Sequence, residues 1–322
     1  MLIQLRRIET LLHCPGAGPT QLMLRWDGET LVAAERCGPH GPLGRYPIVL
    51  GQPALIDWET SLVPQSRFDG ATSRSSLVAR RWNGLRLLKG AILGNARVSR
   101  RNLRRFQDLA RSNAGRAKPL VLMVGAGAAG AGTDILYRSK DIDQVAFDIY
   151  PTALTTFVAD GHDIPLKDES VDAACIQAVL EHVLDPGKVV SEIFRVLKPG
   201  GIVYAETPFM QQVHEGAYDF TRFTELGHRW LFRRFAEIER GVIGGPGLSF
   251  YWSARYLAWG IVRNRALATL ISAPFALFAL LDLAIPPPRR IDGANGVYFL
   301  GKKSDEPLAL RDLPKAYKGA QR

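Results

Sequence analysis

The stretch LVLMVGAGAAG, residues 120–130, decides the fold because an apolar run ends there in a glycine-rich turn. The apolar residues predict a buried strand, and the glycines let backbone N–H groups approach a ligand closely. A helix is expected over residues 134–139, and a second strand over 144–147 ends at Asp148, 23 positions after Gly125. A carboxylate there can accept hydrogen bonds from both ribose hydroxyls of an adenosine ligand. The pattern predicts a parallel α/β sheet. It does not distinguish among three states of the glycine-rich turn: binding of NAD, binding of S-adenosylmethionine (SAM), or no ligand.

The residues that follow favour SAM over NAD. Their motifs are ADG at 159–161, IPLKDESVD at 164–172, LEH at 180–182, DP at 185–186 and RVLKPGG at 195–201. This series resembles class I SAM-dependent methyltransferases, in particular the small-molecule group that includes enzymes of quinone biosynthesis. The resemblance implies a Rossmann-like sheet of seven strands, in which the seventh is antiparallel and inserts beside the sixth. It also implies that SAM contacts Gly125, Gly127, Gly130, Asp148, Asp160, Gly161 and Gln177.

One position departs from the family pattern. An acidic residue usually stands two positions before the first glycine and helps to hold the amino group of SAM, whereas this chain has Met123. Gln177 or backbone carbonyls must then contribute more of the binding. The departure leaves open a protein that has the SAM-binding fold and acts as a binding or scaffold protein without turnover.

Candidate catalytic residues follow the fourth and fifth strands. The loop HEGAYDFTRFT, residues 214–224, lies where a methyl acceptor is expected. His214 could act as a general base, and Arg222 could hold an acidic group of the substrate. His182, in the LEH motif, is a third candidate. The alternative is structural: Asp219 and Arg222 form a salt bridge, and the histidines cap or orient.

A long insertion is expected between the last two strands of the sheet. Residues 236–242 and 297–301 predict the sixth and seventh strands, so residues 243–295 lie between them. Within the insertion, residues 266–285 carry one charge and are long enough for a transmembrane helix. A single span would put the two strands on opposite sides of the membrane. A re-entrant helix, a surface-lying helix or a buried apolar lid is therefore expected.

The first 60 residues resemble a small zinc-ribbon domain that is found fused to methyltransferases or acting as their activator. The segment YPIVLGQPAL, residues 46–55, matches well, but the metal ligands are incomplete. Cys14, Cys37 and His40 could be ligands, whereas Ala17 stands where a second cysteine belongs. We expect a metal-free remnant of this fold and no metal site in the chain.

The positive charge of the chain is concentrated in one segment. Residues 67–118 hold 14 Lys or Arg and two acidic residues, which more than accounts for the net charge of +10. Within it, Leu103, Phe106 and Ala110 stand at spacings of three and four, which predicts an amphipathic helix around residues 100–111. The arginines alternate with apolar residues such as Trp82 and Leu85, which favours contact with an anionic membrane surface. Two alternatives stay open: the arginines are solvated and pair with the acidic remainder of the chain, or they bind RNA.

Together these observations predict four parts: a degenerate zinc-ribbon-like domain (1–60), a basic helical linker (61–117), the methyltransferase domain (118–303) and a C-terminal tail (304–322). The expected function is methyl transfer from SAM to a small-molecule, lipid-linked or saccharide-linked acceptor, with RNA as a less favoured substrate. The amino terminus does not have the pattern of a signal peptide, and three cysteines suit a reducing compartment. A cytoplasmic location is expected, with peripheral contact at the inner membrane surface left open.

Overall fold

The computed structural model of this protein describes residues 4–18, 20–38, 41–68, 95–115 and 117–321. The strands are β1 (Leu22–Asp27), β2 (Thr30–Gly38), β3 (Gly41–Tyr46), β4 (Ile48–Val49), β5 (Gln52–Leu55), β6 (Leu120–Val124), β7 (Asp143–Asp148), β8 (Phe157–Ala159), β9 (Val171–Gln177), β10 (Leu197–Pro208), β11 (Phe235–Gly244) and β12 (Gly296–Lys303). The α-helices are α1 (Leu5–Ile8), α2 (Asn95–Ala114), α3 (Asp134–Tyr137), α4 (Pro186–Val196), α5 (Glu225–Leu231), α6 (Pro246–Val262), α7 (Arg265–Ser272), α8 (Phe278–Leu281) and α9 (Pro287–Asp292).

Seven strands of the central sheet have the predicted topology, and two strands from the amino-terminal residues, β5 and β4, extend it. Within the described ranges its strands follow the order β11-β12-β10-β9-β6-β7-β8-β5-β4. The strands from β6 to β10 pair in parallel, and β12 lies antiparallel between β10 and β11. The antiparallel seventh strand beside the sixth is thus confirmed. The carboxyl ends of β6, β7, β9 and β10 meet at one edge of the sheet, which is where open α/β sheets bind ligands.

Helix α2 covers one face of this sheet. Leu103, Phe106 and Ala110 lie on the predicted apolar side of the helix and are completely buried. They belong to the same core cluster as Val121 on β6 and Cys175 on β9. The helix predicted around residues 100–111 is confirmed, because these apolar residues at spacings of three and four need one common partner surface.

The basic residues of α2 pair with acidic residues of the domain that it covers. Arg100 lies 2.9 Å from Asp134 on α3, and Arg101 lies 3.2 Å from Glu239 on β11. For the arginines of α2, the structure therefore supports the alternative in which basic residues pair with acidic residues of the same chain. Most of the segment proposed for membrane contact falls on residues 69–94, outside the described residues, and this includes its apolar members Leu77, Trp82, Leu85, Leu87 and Leu88.

The amino-terminal residues extend the same core. Strands β1, β2 and β3 form a small antiparallel sheet, whereas β5 pairs in parallel with β8 and so lengthens the central sheet. Leu12 and Cys14 are fully buried in the cluster that also contains Leu122 of β6. His40, one of the candidate zinc ligands, lies outside the described residues. The described part of residues 1–60 thus shares a hydrophobic core with the sheet.

The insertion between β11 and β12 forms a group of short helices. The apolar stretch 266–285 is divided into α7, a 3-10 turn over Ala273–Leu277 and α8. Among the described residues, no helix is both long enough and apolar enough to cross a membrane. The C-terminal residues pack back on the domain, since Ala320 N–H donates to Asp292 at 2.9 Å and Lys318 pairs with Glu237 at 2.7 Å.

Candidate functional site

The glycine-rich loop after β6 folds against the end of β7. Gly125 has φ +75°, a left-handed conformation that favours glycine, and its N–H donates to the carbonyl of Phe147 at 3.0 Å. The N–H of Gly127 donates to the Asp148 carboxylate at 2.7 Å. The predicted loop and the predicted ribose-binding acid therefore lie in direct contact.

The carboxylate of Asp148 is perturbed by its surroundings. Burial raises its pKa to about 6, although the backbone N–H groups of Gly127, Ile149 and Tyr150 favour the ionised form. A buried carboxylate at the end of the second strand is well suited to accept hydrogen bonds from hydroxyl groups. It gains from such donors because few water molecules compete with them.

A second acid at this edge was missed by the sequence analysis. Glu206, at the end of β10, is buried and accepts hydrogen bonds from the Tyr204 hydroxyl and from Gln177 Nε2, the latter at 2.6 Å. The same nitrogen lies 3.0 Å from the Ala131 carbonyl, so the amide orientation of Gln177 is fixed. Its Oε1 faces Gly130, where an added Cβ would lie only 1.9 Å away, and it has no hydrogen-bond partner among the described residues. The sequence signal that could have identified Glu206 is an acidic residue near the end of an apolar strand.

These residues fit an adenosine-containing cofactor with an amino-acid end. Met123, which replaces the family's acid, is buried in the core cluster with Phe106 and Cys175. It lines the small cavity beside the glycine loop and offers that cavity an apolar side chain in place of a carboxylate. The unpartnered Oε1 of Gln177 is an acceptor suited to the ammonium group of SAM. Asp148 would hold the ribose of the same ligand.

Asp160 and Gly161 follow β8, farther along the same edge. The Asp160 carboxylate accepts hydrogen bonds from Ser61 at 2.7 Å and from the His162 ring at 2.6 Å. Burial would raise the pKa of Asp160, but these donors outweigh burial and lower it. A Cβ on Gly161 would make only an ordinary contact with Val189 at 3.4 Å. Part of the acceptor capacity predicted for adenine at Asp160 is therefore taken by protein groups.

The two candidate histidines lie together beside a buried acid. Glu181 Oε1 lies 3.5 Å from His182 Nε2 and 3.7 Å from His214 Nε2, and the two imidazole rings meet edge to face at 4.9 Å. On the far side of each ring, His182 Nδ1 donates to the Tyr218 carbonyl at 2.7 Å, and His214 Nδ1 lies 3.3 Å from Asp219. The fold thus brings together two histidines that are 32 positions apart, and adds Glu181, which was not predicted.

Arg222 is occupied by the loop that contains it. Its guanidinium makes a two-point contact with the Asp219 carboxylate and donates to the carbonyl oxygens of residues 211, 212 and 221. These bonds use all five of its N–H donors. The prediction that Arg222 holds a substrate acid does not fit this geometry. Its contacts support the structural alternative, in which Arg222 and Asp219 fix the loop around His214.

Residues 122–205 match the family described as methyltransferase domain. This match covers β6 to β10, and the order of the seven strands from β11 to β8 is the one expected for the class I fold. Residues 122–205 therefore belong to a methyltransferase domain with the class I strand order.

Relatives of the methyltransferase domain are similar over part of their length. Demethylmenaquinone methyltransferase of Paenarthrobacter aurescens is 31% identical over 144 residues, which cover 41% of this chain and 54% of that protein. The enzyme of the same name from Clavibacter sepedonicus is 47% identical over 64 residues, which cover 19% and 26%. Phosphoethanolamine N-methyltransferase 2 of Haemonchus contortus, solved with SAM, is similar over 63% of this chain and 53% of that one, with 15% identity and a TM-score of 0.40. The matching segments span between 14% and 54% of the curated relatives.

The acceptor side of the methyltransferase domain has an apolar rim. Large apolar side chains near the histidine pair are 41–58% exposed, namely Leu184, Met210, Val213 and Phe220. Helix α6 of the insertion contacts this rim, because Tyr256 donates to the Val213 carbonyl and Gln212 donates to Ser253 at 3.0 Å. The insertion therefore borders the region where a methyl acceptor would enter.

Proposed function

We propose that this protein transfers a methyl group from SAM to a small, apolar or lipid-linked acceptor, with His214 as the general base. The observation that carries the proposal is the imidazole pair at the carboxyl edge of the sheet, on the same edge as the glycine loop and Asp148. Bound SAM supplies an electrophilic methyl group on its sulfonium.

His214 would accept the proton that the attacking acceptor atom loses. Because its Nδ1 faces the Asp219 carboxylate, the proton would go to its Nε2, which lies 3.7 Å from Glu181 Oε1, and the two carboxylates would stabilise the resulting imidazolium. Arg222 holds Asp219 in place and so acts as a positioning residue. As the acceptor atom bonds to the methyl carbon, the bond from sulfur breaks and S-adenosylhomocysteine leaves. Alignment of the two reactants contributes most of the rate in such a displacement.

An apolar acceptor is supported by the rim and by the insertion beside it. The insertion exposes a run of large apolar side chains, with Leu257, Ile261, Leu270 and Leu283 each more than 65% exposed. Two relatives are named demethylmenaquinone methyltransferase, which supports a quinone-like, lipid-linked acceptor for this chain. A substrate with a long apolar tail would be delivered from a membrane surface.

The charges of the insertion support an anionic membrane surface. Residues 246–291 contain five arginines and one acid, Asp282. That acid is buried at the start of α6, whereas Arg263 and Arg265 are exposed between α6 and α7. Exposed apolar groups next to arginines are typical of segments that lie in the interface of anionic lipids. We therefore place the membrane contact on the insertion as well as on the basic segment named above.

The test combines cofactor binding with turnover. Calorimetry should detect binding of S-adenosylhomocysteine and no binding of NADH. Tight binding of NADH without binding of S-adenosylhomocysteine would contradict the cofactor assignment. Transfer of a labelled methyl group should occur to detergent-dispersed quinone or phenol acceptors with a prenyl tail, and His214→Ala should reduce it by about 100-fold or more. Cofactor binding with no transfer to any acceptor would support the scaffold alternative that Met123 suggests.

A further inference from the structure

The cluster of Glu181, His182 and His214 has the arrangement of a metal site. One ligand atom from each residue lies within 4.8 Å of the others, and two of the separations are 3.5 and 3.7 Å. In a tetrahedral zinc site with bonds near 2.1 Å, ligand atoms are about 3.4 Å apart. The two separations that involve Glu181 therefore already lie close to the tetrahedral value.

Each imidazole is already oriented for metal binding. The Tyr218 carbonyl can only accept a hydrogen bond, so His182 carries its proton on Nδ1 and directs the Nε2 lone pair toward Glu181. His214 has the Gln212 carbonyl and the Asp219 carboxylate beside its Nδ1, which fixes the same tautomer. A carbonyl or carboxylate behind each histidine is the usual outer support of a metal-binding imidazole.

The backbone holds the two halves of the cluster together. The N–H of Phe220 donates to the Glu181 carbonyl at 2.7 Å, which joins the 3-10 turn of Leu180–His182 to the loop that contains His214. The Glu181 side chain is 1% exposed, whereas those of His182 and His214 are 20% and 18% exposed. The carboxylate thus forms the floor of the cluster, and the imidazoles lie at the side open to an incoming ligand.

We propose that Glu181, His182 and His214 bind one divalent transition metal ion, with zinc as the best match, and leave a coordination position for an oxygen of the acceptor. Two histidines and one carboxylate form a three-ligand set of the kind that catalytic zinc sites use. A metal ion there would polarise an acceptor hydroxyl and favour its loss of a proton. The proposal rests on the proposed function and deepens it by assigning an oxygen acceptor to the same site. With the metal bound, the Nε2 of His214 is a ligand, and metal polarisation of the acceptor hydroxyl takes the place of general-base catalysis by His214. It also replaces the expectation of a chain without a metal site.

The experiment measures metal binding directly. Full-length protein is stripped with a chelator and then titrated with Zn²⁺ in calorimetry and with Co²⁺ in visible absorption. We expect about one equivalent to bind, with Co²⁺ bands typical of low coordination number. His182→Ala and His214→Ala should each weaken binding by more than the roughly 10- to 100-fold loss that follows removal of an orienting partner. The matched control, His162→Gln, should bind metal like the wild type.

Two readouts separate this proposal from the proposed function. S-adenosylhomocysteine affinity should be the same in the stripped protein and in both histidine variants, and it also reports that these variants are folded. The proposal would be overturned if Cys14→Ser abolished metal binding while the double variant His182→Ala/His214→Ala still bound the metal. It would also be overturned if the stripped wild type bound no metal. Methyl transfer by the stripped, metal-free protein at the full rate would overturn the role in catalysis.

Discussion

The Asp282 carboxylate accepts a hydrogen bond from the N–H of Gly247 at 2.7 Å, across 35 positions of the chain. It also accepts from the N–H groups of Gly245 and Leu248, so one buried acid satisfies three donors at the start of α6. A Cβ on Gly247 would lie 2.0 Å from the Phe278 carbonyl, which shows how closely α6 and α8 approach. The only acid in the apolar stretch 266–285 is thus used to tie the insertion together.

Asp282→Ala should lower the free energy of unfolding by about 1–3 kcal/mol, because two buried backbone donors and one half-buried donor lose their acceptor. Urea titration followed by tryptophan fluorescence measures this change, since Trp252 and Trp259 lie on α6. The control Asp305→Ala removes an exposed acid and should change stability by no more than about 0.5 kcal/mol. Equal stability of the two variants would contradict the capping role.

Binding of S-adenosylhomocysteine should depend on pH through Asp148. Burial raises the pKa of this acid to about 6, and only the ionised form accepts hydrogen bonds from both ribose hydroxyls. Affinity should therefore increase about tenfold between pH 5 and pH 7. The same raised pKa means that Asp148 lowers the stability of the free protein as pH rises from about 4 to about 6.

The variant Asp148→Asn should remove the pH dependence of S-adenosylhomocysteine binding, and Asp148→Ala should weaken binding by about 1.5–3 kcal/mol. Calorimetry at both pH values tests this, with Asp141→Ala as the control because that acid is exposed on the surface. A wild-type affinity that is flat across this range would exclude Asp148 as the ribose-binding group.

Gln177→Ala should affect one end of the cofactor. Because Gln177 Oε1 is assigned to the ammonium group, S-adenosylhomocysteine should bind about 5- to 10-fold more weakly to this variant. Methylthioadenosine, which lacks the amino-acid end, should bind as tightly as it does to the wild type. The control Gln107→Ala removes an amide that contacts only Ser139 in the described structure. Equal weakening of both ligands would show that Gln177 acts through the glycine loop.

The insertion should mediate membrane binding. Leu270→Asp changes a side chain that is 72% exposed on α7, and Leu310→Asp changes one that is 70% exposed outside the insertion. Burial of a leucine is worth about 1.5–3 kcal/mol, so the first variant should lose about tenfold or more in affinity for anionic liposomes. The control should co-sediment like the wild type.

The same assay distinguishes the other interpretations of the basic segment. Binding to tRNA at physiological salt without liposome sedimentation would favour an RNA substrate. If the protein bound neither tRNA nor liposomes, the result would favour the interpretation that the arginines only pair with acidic residues, as Arg100 does with Asp134.

The amino-terminal domain should fold without metal. Ala17 stands where a second cysteine ligand belongs, and burial raises the pKa of the Cys14 thiol of the metal-free protein to about 11. The thiol also lies 3.4 Å from the Gln21 carbonyl. Chelator treatment should leave the unfolding curve of His182→Ala/His214→Ala unchanged. A loss of stability on zinc removal that Cys14→Ser abolishes would contradict this prediction.

The sequence by itself determined the sheet and its cofactor side. Apolar runs such as residues 120–124, followed by glycines that tolerate a turn and by an acid at a fixed distance, define local structure through spacing along the chain. The face of α2 that carries Leu103 and Phe106 could be predicted for the same reason, because helical periodicity is a local property. The strand order followed from the resemblance, which rests on the same motifs.

Only the tertiary structure decided what the polar residues of the site do. His182 and His214 meet because β9 and β10 are neighbours in the sheet, and Glu181 joins them because the 3-10 turn directs its side chain inward. Arg222 was expected to contact the substrate, but its five N–H donors are occupied within its own loop, so we assign it a positioning role. Some of these hydrogen-bond partners are distant in sequence. A buried polar group needs such a partner, and burial exists only after the chain has folded.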